Sequence, residues 1–507
     1  MRIAVTSLVL VFFSGLSPAA LAQEKAPLDF SSVPAPAHGV RPKSLLIRNV
    51  MIIRGNGTPP TGPTDVLLRG TTIEKVGRYD GEKLPDTVID GTGKTLIPGL
   101  INMHGHIQEE RGDKPMPLEY QMSLWLASGI TTIRDVGSPF DRSLEIRALS
   151  EKGEIAAPRI FLYAWAGREK DGESMRAKVR ELGEKGADGL KVYSLDRDIL
   201  EALMDEAHKL GLRATTHIGV EETNAWDSIR LGMTSIEHWY GIPEAAMEGP
   251  QHFPADFSYS NEVDRFRWAG RLWRETVPER LQQVLVAMVE AGVAWDPTFA
   301  IYEASRDVVR ARSKPWFQEY LHPSLESFYE PSLESHGSYF IGWTNTDEVY
   351  WKENYRIWFA AVREFARLGG IVTTGEDAGF IYVMQGFGLI RELELHEEAG
   401  FQPLEVIQHA TANGALILGK ADTLGRIREG YKADVALVNG NPLANLRVLY
   451  PTGTDSYVDG VSVHGGGIEW TIKDGIPYHG PTLMERVRMI VKEARAALEE
   501  APAQAGG

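Results

Sequence analysis

Eight short apolar runs, separated by helix-period stretches and loops, constrain the fold of this chain more than any other feature. They lie at 97–104, 130–135 (ITTIRD), 159–165 (RIFLYAW), 189–193 (GLKVY), 213–218 (RATTHI), 234–239 (TSIEHW), 293–299 (VAWDPTF) and 371–376 (IVTTGE). Apolar runs of four to eight residues fit strands buried on both faces. Helix-period segments stand between them at 173–185, 198–210, 222–231, 278–291 and 354–368, and Gly211, Gly232 and the pair Gly369-Gly370 stop three of these. Eight strands alternating with helices predict an α/β fold, a (β/α)8 TIM barrel over 98–420. An open doubly wound sheet would want a Gly-rich phosphate turn after its first strand, and none follows residue 104.

The texture changes on both sides of this unit. Residues 45–97 ("LLIRNVMII", "TDVLLRGTTIEKVG") and 421–480 ("YKADVALVNGNPL", "GIEWTIKDGIPYHG") read as short strands with turns. They predict one small β-sandwich-like domain built from segments on both sides of the barrel. Residues 481–507 read as a final amphipathic helix and a loose tail. At the other end, 1–22 read as a signal peptide, with Arg2, an apolar core from Val5 to Phe13 and the site Ala20-Leu21-Ala22. That core is well short of the ~20 residues of a membrane span. Residues 23–44 form a Pro- and Ala-containing linker. The expectation is an exported protein, periplasmic or secreted, without a stable membrane span after cleavage.

The chain has 507 residues and no cysteine, which excludes disulfides, thiolate metal sites and cysteine nucleophiles. Its formal net charge of -16 disfavours nucleic acid and anionic membranes as partners and suits a small-molecule substrate. A homo-oligomer is compatible with everything read here.

Within "LIPGLINMHGHIQEE", His104 and His106 are two apart and would project from the same face of a strand end. Four further residues fall on or near strand C-terminal ends: Lys191, His217, His238 and Asp377. That is the face where barrel active sites are built. Taken singly, each has a plain structural reading: a core or loop histidine, a helix-capping aspartate, a lysine in an ion pair. Six at matching strand ends point instead to a divalent metal site, since imidazoles and a carboxylate suit Zn²⁺ or a similar ion.

These six positions, the bracketing β segments and the phrases "IPGLINMHGH", "SIEH", "TTGEDAG" and "LGRIREGYKADVALVNGNPL" resemble the amidohydrolase superfamily from about residue 45 to about 480. The resemblance is nearest to the imidazolonepropionase-like amidohydrolases, which include metal-dependent dipeptidases acting on Xaa-Pro or Xaa-Arg substrates. It implies two divalent metal ions, zinc by preference. His104, His106 and Asp377 would hold one and His217 and His238 the other, with a carboxylated Lys191 bridging them. Asp377 would be the catalytic base and proton shuttle for hydrolysis of an amide-like C–N bond. Two positions depart from the pattern. Glu376 stands where a small residue is expected and is read as pointing to solvent, and "HWYG" at 238–241 is bulkier than usual.

Two long insertions, 239–277 and 300–353, follow the sixth and seventh strands. Eight of the twelve tryptophans lie between Trp239 and Trp358. They can form a lid over an apolar substrate group or a small core of the insertions' own, and the core is favoured. Tyr193 and Tyr240 are candidate substrate-binding residues that would donate to an oxyanion. Arg265, Arg267, Arg271 and Arg274 are candidates for a substrate-carboxylate clamp, although a solvated helix face suits most of them better. The leading function is hydrolysis of a dipeptide or N-acyl amino acid. The alternatives are a mononuclear ring hydrolase or deaminase, in which Lys191 is structural, and a barrel that binds ligands without catalysis.

Overall fold

Each of the first seven apolar runs becomes a strand of one parallel sheet, and the eighth closes it. The computed structural model describes residues 28–500 except 82, 168, 194, 218–221, 250–252, 254, 259 and 335. The leader read at 1–22, the start of the linker and the tail 501–507 lie outside the described residues. In chain order the N-terminal strands are β1 (Ser44–Ile52), β2 (Thr61–Arg69), β3 (Thr72–Val76), β4 (Thr87–Asp90) and β5 (Thr95–Pro98). The barrel opens with β6 (Leu100–Gly105), followed by a short hairpin, β7 (Glu110–Arg111) and β8 (Lys114–Pro115). It continues through β9 (Ile130–Val136), β10 (Arg159–Trp165), β11 (Gly189–Tyr193), β12 (Arg213–His217), β13 (Ser235–Glu237) and β14 (Ala294–Asp296). The C-terminal strands are β15 (Val435–Val438), β16 (Thr454–Val458), β17 (Val461–Gly465), β18 (Ile468–Lys473) and β19 (Ile476–His479).

The barrel sheet runs β6-β9-β10-β11-β12-β13-β14, all parallel. Residues 371–377 complete the ring with only a single bridge, Trp295 to Val372. Trp295 N–H donates to the Ile371 carbonyl (2.9 Å) and Thr373 N–H to that of Trp295 (3.0 Å), which joins the segment to β14. Met103 N–H donates to the Thr374 carbonyl (2.9 Å) and Asp377 N–H to that of His104 (2.9 Å), which joins it to β6. Every barrel strand is buried along most of its length, as expected for a sheet enclosed by helices.

β5, β15, β18 and β19 join β1 to β4 in an eight-stranded sheet, so the two ends of the chain share one domain. β1 pairs with β4 over its first half and with β5 over its second, so β4 branches off the sheet's main strand order at that strand. A buried polar joint ties the sheet to the barrel. Arg159, at the start of β10, bridges Asp434 (3.0 Å) and Asp474 (2.7 Å), and the Lys473 ammonium donates to the Ser150 carbonyl (2.8 Å). The last helix, Gly480–Glu500, buries Leu483, Met484, Val487, Ile490 and Val491 on one stripe and packs on the helix Leu118–Ala127.

The helix expected at 354–368 spans Asn345–Arg367. Its start is a capping box at Thr344, whose N–H and hydroxyl both donate to Asp347 (2.8 and 3.0 Å). The second insertion therefore ends in two turns of this helix. Trp239, Trp273, Trp351 and Trp358 are fully buried in a shared aromatic layer, with Phe266 stacked on Tyr339 at 3.9 Å. The insertion aromatics thus serve as core, in one buried cluster continuous with residues of the barrel strands such as Ile133 and Trp295.

Removing the Arg159 guanidinium would leave Asp434 without its cation, and Asp474 with only Lys473 (3.3 Å) and Lys432 (3.6 Å). Arg159→Met is expected to cost about 3 kcal/mol, read as a lower urea midpoint with metal content unchanged. An unaltered midpoint would mean that this joint carries no stability.

Candidate metal centre

Parallel strands all end at the same mouth, so side chains at their last residues converge. His104 lies on β6 and His106 just past it, Lys191 within β11, His217 at the end of β12, His238 one residue past β13, and Asp377 at the end of the closing segment. In the sheet register Lys191 sits beside Thr215 and Tyr193 beside His217. His238 (φ 60°), Thr298 (φ 49°) and Asp377 (φ 47°) have left-handed backbone, uncommon for residues with a Cβ and worth on the order of 1 kcal/mol or more of strain each. His238 is fixed there by its N–H, which donates to the Asp296 carbonyl (2.8 Å).

Asp377 is the centre of the group. One carboxylate oxygen lies 3.0 Å from His106 Nε2 and 3.7 Å from His104 Nε2, and the other 3.7 Å from His238 Nε2. The His217 ring centroid is 4.5 Å from that of His238. Lys191 Nζ reaches His104 Nε2 at 3.5 Å. The lysine is 1% exposed and forms no ion pair among the described residues, which removes its plain structural reading.

The donor set fits a cation. His104 Nδ1 lies 2.7 Å from Glu237, an acceptor when ionised, so Nδ1 carries the proton and Nε2 offers its lone pair. His238 Nδ1 lies 2.5 Å from the Thr298 hydroxyl, which itself donates to the Pro297 carbonyl (2.7 Å). The hydroxyl therefore accepts from Nδ1–H, and again Nε2 is the free lone pair. His238 Nε2 is buried without a hydrogen-bond partner, an atom left for a ligand that is not protein.

Burial, then the Lys191 charge, pulls His104 down to about 4. Burial pushes His217 and His238 well below the usual histidine range, so all three rings are neutral, as metal ligands must be. Burial alone would raise Asp377, but His104 and His106 outweigh it and hold the carboxylate well below its ordinary value. Lys191 falls to about 8 through burial, opposed by Glu237 and Asp377.

Glu237 is a functional residue that sequence reasoning missed. Besides holding His104, it binds Arg134 Nη2 (2.6 Å) and accepts from the hydroxyls of Ser235 (3.0 Å) and Thr215. Arg134 is itself fully buried, and its Nε donates to the Met103 carbonyl (2.5 Å). Burial opposes ionisation of Glu237, but Arg134 and His104 keep it charged. The signal available in sequence was a Glu immediately before a ligand-type histidine, together with a charged Arg134 inside an apolar run.

Glu376 does not point to solvent. It is fully buried and accepts from Asn102 Nδ2 (3.0 Å), Trp125 Nε1, and the N–H groups of Gly386 (2.8 Å) and Leu389 (3.0 Å). Adjacent residues of an extended segment face opposite ways, and the far side of a barrel strand is a helix layer rather than water. Burial pushes this carboxyl up to about 7, against its four donors.

Of the two tyrosines, Tyr240 is buried, stacked on His217 (5.2 Å, 17°) and hydrogen-bonded to Tyr302. Tyr193 is partly exposed, with its ring 5.4 Å from that of His217. Among the four arginines, Arg267 and Arg274 make ion pairs with Asp347 and Glu353, and Arg271 lies over Trp268 and Tyr350. Arg265 binds Glu262 and His336, both at 3.0 Å, and its charge is felt by His217.

A family model described as the amidohydrolase family matches residues 95–294 and 356–465. An uncharacterized protein of Mycobacterium bovis is 26% identical over 232 residues, 40% of this chain and 59% of that protein. A dihydroorotase of Halalkalibacterium halodurans is 30% identical over 207 residues, 39% of this chain and 47% of that enzyme. The chain thus spans about half to three-fifths of the length of these curated relatives. A solved Xaa-Pro dipeptidase with methionine bound in its active site superposes with a TM-score of 0.61 at 19% identity, covering 86% of this chain and 100% of that one. At that identity the likeness is one of fold.

Glu237→Gln keeps the side chain's shape but lets it donate, so the His104 ring can turn over. A 10- to 100-fold loss of metal affinity is expected, read by zinc competition with a fluorescent chelator. Unchanged affinity would remove Glu237 from the site.

Proposed function

This chain belongs to the amidohydrolase family, and we propose that it hydrolyses the amide C–N bond of a small substrate such as a dipeptide or N-acyl amino acid. The observation that carries this reading is the convergence of imidazole lone pairs on the ionised Asp377, one of them without any protein partner. His104, His106 and Asp377 would hold one divalent ion and His217 and His238 a second, zinc by its match to imidazole and carboxylate. Such ions, when bound, supply Lewis-acid polarisation of a carbonyl and lower the pKa of water.

The protein's own residues supply the proton handling. Asp377 is ionised, faces three imidazoles and stands at the mouth, so it can take the proton of the attacking water and later give it to the leaving nitrogen. That transfer matters most for amides, because an amine leaves far more readily than an amide anion. Lys191, pulled towards neutrality by burial, is suited to carboxylation: its amine nitrogen bonds to the carbon of CO₂ and loses a proton, giving an anionic carbamate. That conversion would end the cost of an ammonium buried without an ion pair. Tyr193, beside His217 and partly open, is the better placed of the two tyrosines to meet a substrate oxygen. An exported location rests on residues 1–22 alone.

A cyclic amide is the second reading, supported by the identity shared with the dihydroorotase. Assays of dipeptides, N-acyl amino acids and cyclic amides on one enzyme sample separate the two. Hydrolysis of the linear substrates is expected, abolished by a chelator, with kcat lowered about 10²- to 10⁴-fold in Asp377→Asn. Turnover of cyclic amides alone, or activity that survives chelation, would contradict the reading.

A further inference from the structure

Like Arg271, and unlike Arg265, Arg267 and Arg274, Arg111 has no anionic partner among the described residues. It lies on β7, in the loop that follows His106. Among the described residues, no carboxylate or carbonyl oxygen lies within hydrogen-bonding or ion-pair reach of its guanidinium, and its Nε is buried without a partner. What it does touch is aromatic: its Cζ is 4.2 Å from the Phe380 ring centroid and 5.2 Å from that of Phe328. Phe380 follows Asp377 by three residues, and its ring packs edge-on against His106 (5.6 Å, 82°). The guanidinium is thus separated from the metal-ligand cluster by one aromatic ring.

A cation placed this way is costly unless something pairs with it. Tyr329, Asp377 and Glu110 offset part of the effect of burial, none of them by a hydrogen bond or ion pair. Burial brings the guanidinium down only to about 10, so it is charged at neutral pH. Stacking uses the face of the guanidinium and leaves its in-plane donors for a bidentate partner. The side chain is partly exposed, so a partner can reach it.

We infer that Arg111, seated on Phe380 and Phe328, is the anchor for a substrate carboxylate and restricts the enzyme to substrates whose leaving group is a free α-amino acid. The inference rests on the amide-hydrolysis reading of the adjacent centre. The α-carboxylate carbon lies three bonds, roughly 4 Å, from the scissile carbonyl carbon. Arg111 is one ring beyond His106, so the donors at the end of its side chain have to meet the carboxylate at the edge of Phe380.

The test uses the Asp377→Asn protein reconstituted with zinc, in which the amide oxygen can still ligate and the metal content is first matched to that of the wild type, and two probes, N-acetyl-L-leucine and N-acetyl-L-leucinamide. Adding Arg111→Met is expected to weaken calorimetric binding of the carboxylate probe 10- to 100-fold and leave the amide within twofold. In the Asp377 enzyme the same substitution should raise KM for the carboxylate substrate with kcat nearly unchanged. Should Arg111→Met fail to fold, Arg111→Lys carries the test, because it keeps the charge but loses the fork. It should weaken the carboxylate probe about 3- to 10-fold and spare the amide. Equal weakening of both probes, unchanged binding, or no binding of N-acetyl-L-leucine before substitution overturns the inference. Arg111-dependent binding of the carboxylate, with no cleavage by the wild type, sinks the hydrolysis reading alone. Cleavage of both substrates alike, whatever residue 111 is, sinks the carboxylate anchor alone.

Discussion

The bond between His104 and Glu237 is the interaction on which the centre depends. It holds the imidazole proton on Nδ1 and leaves Nε2 facing Asp377, and it does so in a fully desolvated setting. A carboxylate cannot stay ionised there unaided. Arg134 supplies the counter-charge while also binding the Met103 carbonyl of β6, so the electrostatics of the site and the closure of the barrel share one guanidinium. Asp296 lies on the same guanidinium at 3.5 Å, which extends the network from β9 through β13 to β14. Removing Arg134 or Glu237 would leave the other's charge buried without its partner, a larger loss than the pair itself contributes.

The insertions determine how dry this centre is. Tyr302 and Trp239 pack beside His238 and Tyr240, and Trp351 and Trp358 close the layer from the helix Asn345–Arg367. Electrostatic interactions strengthen as water is excluded, which is why three histidines in this small volume remain neutral. The aromatic layer therefore acts on the chemistry even where it serves as core. The layer continues through Phe266 and His336 to Phe380, which with Phe328 supports Arg111.

The barrel was legible because strand burial and strand-end chemistry repeat. Seven apolar runs became strands close to the residues expected, and the convergence of His104, His106, His238 and Asp377 follows from placing each at the end of a parallel strand. What could not be read depended on side-chain direction or on distant partners. Glu376 and Asp377 are neighbours with opposite environments, and only the helix layer behind the strand decides that the first is buried. Glu237 looked like the polar prelude to His238, because nothing local shows that Arg134 and His104 would meet it across three strands. The early start of the helix at Asn345 was signalled by a T-x-x-D capping box hidden in an aromatic stretch. Arg111 lay in a loop without periodicity, and its significance comes from the partners it lacks.

Metal analysis of the purified protein by inductively coupled plasma mass spectrometry, beside Lys191→Ala, tests the central claim most directly. The account predicts close to two zinc-like ions per chain in the wild type and one or none in the variant. One ion in both proteins would contradict a binuclear centre bridged by Lys191. No metal in either, after purification without chelators, would contradict the metal centre itself.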